Sequence, residues 1–253
     1  MRRIICFLAI VFLCSPFAWA AIDSAYRQGL EEANELYSQS KYEQALQKYQ
    51  KLSLTEATPE AYYNLGNANF KTKKLGRAIA AYEKAKLLAP RDGDIRKNLR
   101  YAASLIQSKM PDQGSLYLKE IESVFSYVSL VELQITALMF VSLIFVWMIV
   151  LLMLSRNPFR GWVLRTLTTF FIISASLCGM KYYLDARLTY AVVIRPDAEV
   201  RYGPSRDDKV VFRLPEGMKI LIMEDREGWK RVQLSGKDSG WIPKDDLELI
   251  KAV

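Results

Sequence analysis

Lys41-Tyr42-Glu43-Gln44-Ala45-Leu46-Gln47-Lys48-Tyr49 and Lys74-Leu75-Gly76-Arg77-Ala78-Ile79-Ala80-Ala81-Tyr82 stand 33 residues apart and share one pattern. Each opens on lysine, places a small residue (Ala45, Ala78) fifth and closes on tyrosine. A small residue lets two helices approach closely, and an aromatic four residues on fills the same face one turn later. Asn64-Leu65 then matches Asn98-Leu99 at an interval of 34. Self-similarity at this period is the mark of stacked helical repeats. Apolar residues keep helical spacing with few breakers from about Ser24 to Gln107, so an all-α array is expected over residues 24–108.

These residues resemble tetratricopeptide repeats. In the second repeat Tyr62, Leu65, Gly66, Ala78, Tyr82, Ala85 and Pro90 occupy that family's aromatic, leucine, glycine, alanine, aromatic, alanine and proline positions. The first keeps Ala33, Leu36, Ala45 and Tyr49 but has Gly29 and Glu32 where a large apolar pair is usual, which reads as a divergent capping repeat. Asp94 to Ser108 would be a solvating third helix. The resemblance implies a concave, protein-binding face lined by the first helix of each repeat. By repeat position that face would present Asn34, Tyr37, Tyr63, Asn64, Asn67, Phe70, Lys97 and Tyr101. An asparagine amide both donates to and accepts from an extended backbone. Each of these residues also has an ordinary reading: capping a turn, packing locally or facing water.

Outward from the array the chain turns apolar. Residues 1–20 read as a secretory signal, with Arg2 and Arg3, an apolar run from Ile4 to Phe17, and Ala18-Trp19-Ala20 as the cleavage site. An uncleaved anchor is disfavoured because the run is short and Pro16 interrupts it. Leu13 before Cys14 argues against lipid attachment, and cleavage would leave Cys178 as the sole cysteine. Residues 109–129 form a linker after Pro111 and Gly114. Within it Leu116, Tyr117, Ile121, Val124, Phe125 and Val128 recur at helical spacing, either as a helix lying in a membrane interface or as a plain helical linker. Residues 130–154 and 162–184 are expected to span a membrane. The second stretch is the weaker, with a buried soluble helix as its rival, and relies on Arg165 and Lys181 reaching opposite interfaces. The loop 155–161 between them carries Arg156 and Arg160, with Arg165 following and no acid, so it belongs in the cytoplasm and both soluble segments outside.

From Tyr190 short β-rich runs take over. Ala191–Ile194, Val210–Leu214, Lys219–Met223, Trp229–Leu234 and Gly240–Ile242 read as strands. Pro215-Glu216-Gly217, Arg226-Glu227-Gly228 and Ser235-Gly236-Lys237-Asp238 supply turns, and the expected fold over 190–253 is a small all-β barrel. Val200-Arg201-Tyr202-Gly203-Pro204-Ser205, Leu214-Pro215-Glu216-Gly217, Gly228-Trp229-Lys230-Arg231-Val232 and Gly240-Trp241-Ile242-Pro243 resemble bacterial SH3 domains in residues and order. Tyr202, Trp229 and Trp241 either line a ligand groove or close the barrel core, the second being favoured for Trp229.

Composition sets the exclusions. The 253 residues contain no histidine, which removes Ser-His-Asp and Cys-His catalysis and histidine metal sites. The net charge of +8 comes largely from the signal and the Arg156–Arg160–Arg165 group, leaving no basic face for nucleic acid. Ser38 to Lys41 has Ser-x-x-Lys spacing without partner motifs, and Ser235 to Ser239 lacks the setting of a phosphate loop. No catalytic residue, metal site or cofactor is expected.

The order of signal, tetratricopeptide repeats, two spans and SH3 barrel resembles the BatE family, membrane proteins of aerotolerance operons. That resemblance implies a non-enzymatic scaffold in the bacterial inner membrane with both soluble segments in the periplasm. Its partners would be envelope proteins, including von Willebrand A-domain proteins of the same operon. A cell-wall adaptor whose SH3 barrel binds peptidoglycan is the alternative.

Overall fold

The computed structural model describes residues 24–106, 128, 130–153, 160–233 and 239–251. The signal, the amphipathic stretch of residues 115–128 except Val128, most of the loop between the apolar stretches and the Ser235–Asp238 turn lie outside the described residues.

Five helices make the array: α1 (24–38), α2 (Tyr42–Thr55), α3 (Pro59–Lys71), α4 (Leu75–Leu88) and α5 (Gly93–Ser104). Local chemistry sets their ends. Thr58 Oγ1 accepts from the Ala61 N–H at 3.1 Å and Pro59 occupies the first turn of α3, where its missing N–H costs nothing. Asp92 Oδ1 caps α5 through the N–H groups of Asp94 and Ile95 at 2.9 and 3.0 Å. The turns after α1 and α3 are copies of one another. Ser40 and Lys73 adopt φ of 62° and 60°, and the N–H groups of Lys41 and Lys74 return to the Leu36 and Asn69 carbonyls, both at 2.9 Å. Such a left-handed residue closes a helix C-terminus and starts the antiparallel partner.

Between the helices, Ala33, Ala45, Leu46, Tyr49 and Ala68 fill the first repeat and Ala78, Ile79, Tyr82, Leu99 and Ala102 the second. Gly66 is required by this packing, because a Cβ there would lie 2.5 Å from the Tyr82 ring. The expected third helix forms as α5 and buries Ile95, Leu99 and Ala102 against its neighbours.

The C-terminal segment is a seven-stranded antiparallel sheet: β1 (Thr189–Val193), β2 (Ala198–Arg201), β3 (Val210–Leu214), β4 (Lys219–Arg226), β5 (Trp229–Gln233), β6 (Ser239–Pro243) and β7 (Leu247–Ile250), in the order β3-β2-β6-β5-β4-β1-β7. Val193, Val200, Ile220, Val232 and Ile242 are fully buried at its centre. Two strands exceed the sequence expectation. The four residues each of β2 and β7 alternate with Glu199, Arg201 and Glu248, so their apolar signal is too short to read alone. Tertiary pairing supplies what propensity does not: β2 joins β3 and β6, and β7 joins β1.

Two apolar helices, α6 (Leu130–Met153) and α7 (Arg160–Arg187), pack on each other, with Phe140 and Phe170 stacked at 5.7 Å. Both are long and apolar enough to cross a membrane, and Ile135, Leu138, Phe145 and Ile172 point away from the protein. Lys181 of α7 is buried against the chain.

The array and the barrel, read from the sequence as separate modules, are in contact. Helix α4 lies on β1 and β7, and Val192, Ile250 and Tyr190 join the cluster formed by Ile79, Ala80 and Tyr82. The Gly76 N–H donates to Glu216 Oε1 at 2.7 Å, Lys84 pairs with Glu248 at 2.6 Å, and Lys219 pairs with Glu83 at 3.3 Å beneath the Tyr190 ring. The apolar cluster carries most of the attraction, since partly exposed ion pairs contribute only about 0–1 kcal/mol each.

Candidate functional site

The first helices of the repeats, α1, α3 and α5, carry the residues expected on the concave face. Their asparagines form a ladder. Asn34 Oδ1 accepts from the Tyr49 hydroxyl at 2.6 Å and from Asn64 Nδ2 at 3.3 Å. One repeat later Asn67 Oδ1 accepts from the Tyr82 hydroxyl at 2.7 Å and from Asn98 Nδ2 at 2.9 Å. The arrangement recurs because Asn34 and Asn67, like Tyr49 and Tyr82, are 33 residues apart. Each tyrosine reaches the groove from a second helix and fixes the orientation of an amide on a first helix.

The tyrosines hold their protons firmly. Burial pushes the Tyr49 phenol up to about 12 and raises that of Tyr82 further, with Tyr63 adding to the effect. A phenol that stays neutral is a dependable donor, so both lone pairs of each carbonyl oxygen are occupied. The Nδ2 groups of Asn34 and Asn67 have no protein acceptor among the described residues.

The remaining residues divide by burial. Tyr63 is half-buried, 6.1 Å from the Tyr82 ring, and its hydroxyl accepts from Asn98 at 3.2 Å, so it supports the array more than it faces a ligand. Phe70 is half-buried under Tyr101, ring to ring at 5.7 Å, while Tyr101 itself is 59% exposed. Tyr37 stacks edge-on against Tyr42 at 5.1 Å, and its phenol is raised by burial. Lys97 is exposed. Asn98 was not among the groove residues expected from the sequence, although its match to Asn64 at one repeat interval was visible.

On the barrel the three aromatics separate. Tyr202 is 69% exposed on the loop between β2 and β3. That loop is held by Arg201, which donates to the carbonyls of Arg206 and Asp208 at 2.7 and 2.6 Å and pairs with Glu199. Trp241 is buried at 7% exposure, with the Arg226 guanidinium 5.2 Å above its ring. Trp229 is half-buried at the start of β5, opposite Pro243. Trp241 is therefore covered on the face of β6 opposite the core residue Ile242, level with Arg201 and Arg231, and of the three Tyr202 offers the open ring. Neither the groove nor the core takes all three: Trp229, favoured for the core, is only half-buried and stands outside the core cluster, while Trp241 is covered between β2 and β5.

The arrangement provides oriented amides, exposed aromatic rings and a cation, which suits holding an extended chain. Glu83, Lys84, Glu216, Lys219 and Glu248, which join the two modules, carry no sequence signal as a group, since partners are separated by 136 to 164 residues.

Comparison with known families gives a TPR repeat over residues 33–73, a tetratricopeptide repeat over residues 59–92 and a bacterial SH3 domain over residues 195–248. No curated protein matches the chain. The chain thus joins a tetratricopeptide array, two apolar helices and an SH3-like barrel, two of which are protein-interaction modules.

Proposed function

We propose that this chain is a non-enzymatic, membrane-anchored adaptor that assembles an envelope protein complex through its tetratricopeptide groove. The observation that carries the reading is the repeated asparagine ladder, in which tyrosines commit the carbonyl oxygens and leave Nδ2 donors for a partner's backbone. The apolar helices anchor it in a bacterial inner membrane. Arg156, Arg160 and Arg165 hold the intervening loop in the cytoplasm, so array and barrel face the periplasm. The order of modules, similar to BatE proteins, supports an aerotolerance or stress role and von Willebrand A-domain partners.

Crosslinking from membranes followed by purification of the full-length chain tests this. Tyr63 belongs to the packed core, so Asn34→Asp with Asn67→Asp is the cleaner variant: it keeps the acceptor oxygens for Tyr49 and Tyr82 and removes the two Nδ2 donors. It should lose the principal crosslinked protein while melting as the parent does. A partner retained in full by that variant would remove the groove from the reading. Exposure of Tyr202 on its braced loop favours a second reading, in which the barrel holds peptidoglycan. Retention of the intact chain on cell-wall sacculi, abolished by Tyr202→Ala, would support it.

A further inference from the structure

Three leucines of the array are exposed, Leu54, Leu87 and Leu105, and the first two occupy the same repeat position. Leu54 in the last turn of α2 is 88% exposed, and Leu87 in the last turn of α4, 33 residues on, is 42% exposed. Scattered surface leucines are ordinary. These two share an edge. Successive helices of the array run antiparallel, so the C-terminal ends of α2 and α4 lie on one side with the N-terminal ends of α3 and α5.

That edge is tied to the apolar hairpin. Arg91, in the turn between α4 and α5, pairs with Glu132 in the first turn of α6. A second tie comes from the other helix. One residue separates the end of α7 from β1, and Tyr190 of β1 packs in the α4 cluster. The edge bearing Leu54 and Leu87 is thus held where α6 begins and α7 ends.

We infer that this edge rests on the membrane that the hairpin crosses, with Leu54 and Leu87 entering the boundary between headgroups and acyl chains. The inference rests on the membrane-anchored reading above. The occupant is a lipid surface, because the edge is continuous with the ends of the two apolar helices. The charge on the edge is mixed: Lys51, Lys86 and Arg91 alternate with Glu56, Glu60, Asp92 and Asp94. Apolar insertion therefore drives the contact, and it needs no anionic lipid. Each leucine inserts weakly, but the spans hold the array at the surface and supply the effective concentration.

The test uses the full-length chain with Cys6→Ser, Cys14→Ser and Cys178→Ser in phosphatidylcholine nanodiscs. A fluorophore is attached to cysteine at Leu54, at Leu87, at Lys73 on the opposite edge, or at Leu143 within α6. Lipids spin-labelled at shallow acyl depth should quench positions 54 and 87 at least twofold more than position 73. Lipids spin-labelled deep in the chain should quench position 143. Quenching at 143 with equal, weak quenching at 54, 87 and 73 would overturn this inference alone. Absence of quenching at 143 would overturn the membrane anchoring and this inference with it.

Discussion

Replacing Gly76 with alanine should destabilise the chain, although general helix chemistry points the other way. Gly76 sits in the first turn of α4, and alanine is the better helix former by about 0.8–1 kcal/mol in a helix interior and by less near an end. An array without a neighbour would therefore gain. Here a Cβ on Gly76 would stand 2.4 Å from the Val193 carbonyl oxygen and 2.9 Å from Ile194 Cα. Both are backbone atoms at the end of β1 and cannot swing aside. Such overpacking costs about 1–3 kcal/mol. Retreat of α4 would also stretch the 2.7 Å bond from the Gly76 N–H to Glu216, and a hydrogen bond to a charged group contributes about 1.5–3 kcal/mol. The clash and the lost bond outweigh the propensity gain, for a net loss of about 1.5–5 kcal/mol. For a cooperative unit of this size that lowers the melting temperature by roughly 2–4 °C per kcal/mol. The assay is thermal melting of the full-length protein in detergent, followed in the far and near ultraviolet. Gly93→Ala is the control, since a Cβ there meets nothing within 4 Å. If Gly76→Ala melts at or above the parent, as Gly93→Ala is expected to do, the contact between array and barrel is refuted.

Three further outcomes follow from the packing. Gly66→Ala should cost about 1–3 kcal/mol by displacing the Tyr82 ring, and amide exchange should report the loosening in α3 and α4. Ala78→Arg should be more severe, because Ala78 is fully buried in the cluster shared with Val192 and Ile250; an unchanged melt would show that the repeat register is wrong. Stability should also fall in alkali. The Tyr49 and Tyr82 phenols are raised above the ordinary 10.0 in the folded chain, so the unfolded chain loses those protons first. Their contribution is complete below pH 10 and declines as pH rises toward about 12, where Tyr49 titrates. Melting across that window with Tyr49→Phe as reference checks this, and a pH-independent difference between the two proteins would contradict it.

Much of the fold was legible because its signals are local and repeated. Ala45, Ala78, Tyr49 and Tyr82 disclose the period directly, and Gly66 reads correctly because a close approach to an aromatic admits no Cβ. Strands β2 and β7 were missed because four residues interrupted by Glu199, Arg201 or Glu248 give no clear alternation on their own. In the groove, the asparagines were recognised as amides at repeat positions, but their ties to Tyr49 and Tyr82 were not. Those ties depend on side chains from adjacent helices meeting at 2.6 and 2.7 Å, which spacing alone does not specify. The burial of Trp241 depends on strand order, and the union of α4 with β1 and β7 depends on segments far apart in the chain. Neither leaves a mark in a local window.

That union closes a ring. The chain runs from the array into α6, back through α7, directly into β1 and so to the side of α4 where it began. The last link is non-covalent, as are the packing of α6 on α7 and the Arg91–Glu132 pair. During synthesis the array is complete long before β1 exists, so the apolar side of α4 stays uncovered until α7 has emerged and the barrel has folded. Ring closure is therefore the final assembly step, and a chain arrested before it should be the form captured by chaperones or degraded. Once closed, the ring holds its ends by two routes. A molecule cut between α6 and α7 should keep its barrel on its array through size-exclusion chromatography, held by the α4 contact and by α6 against α7, and separation of the halves would show that the two together are too weak to close the circuit.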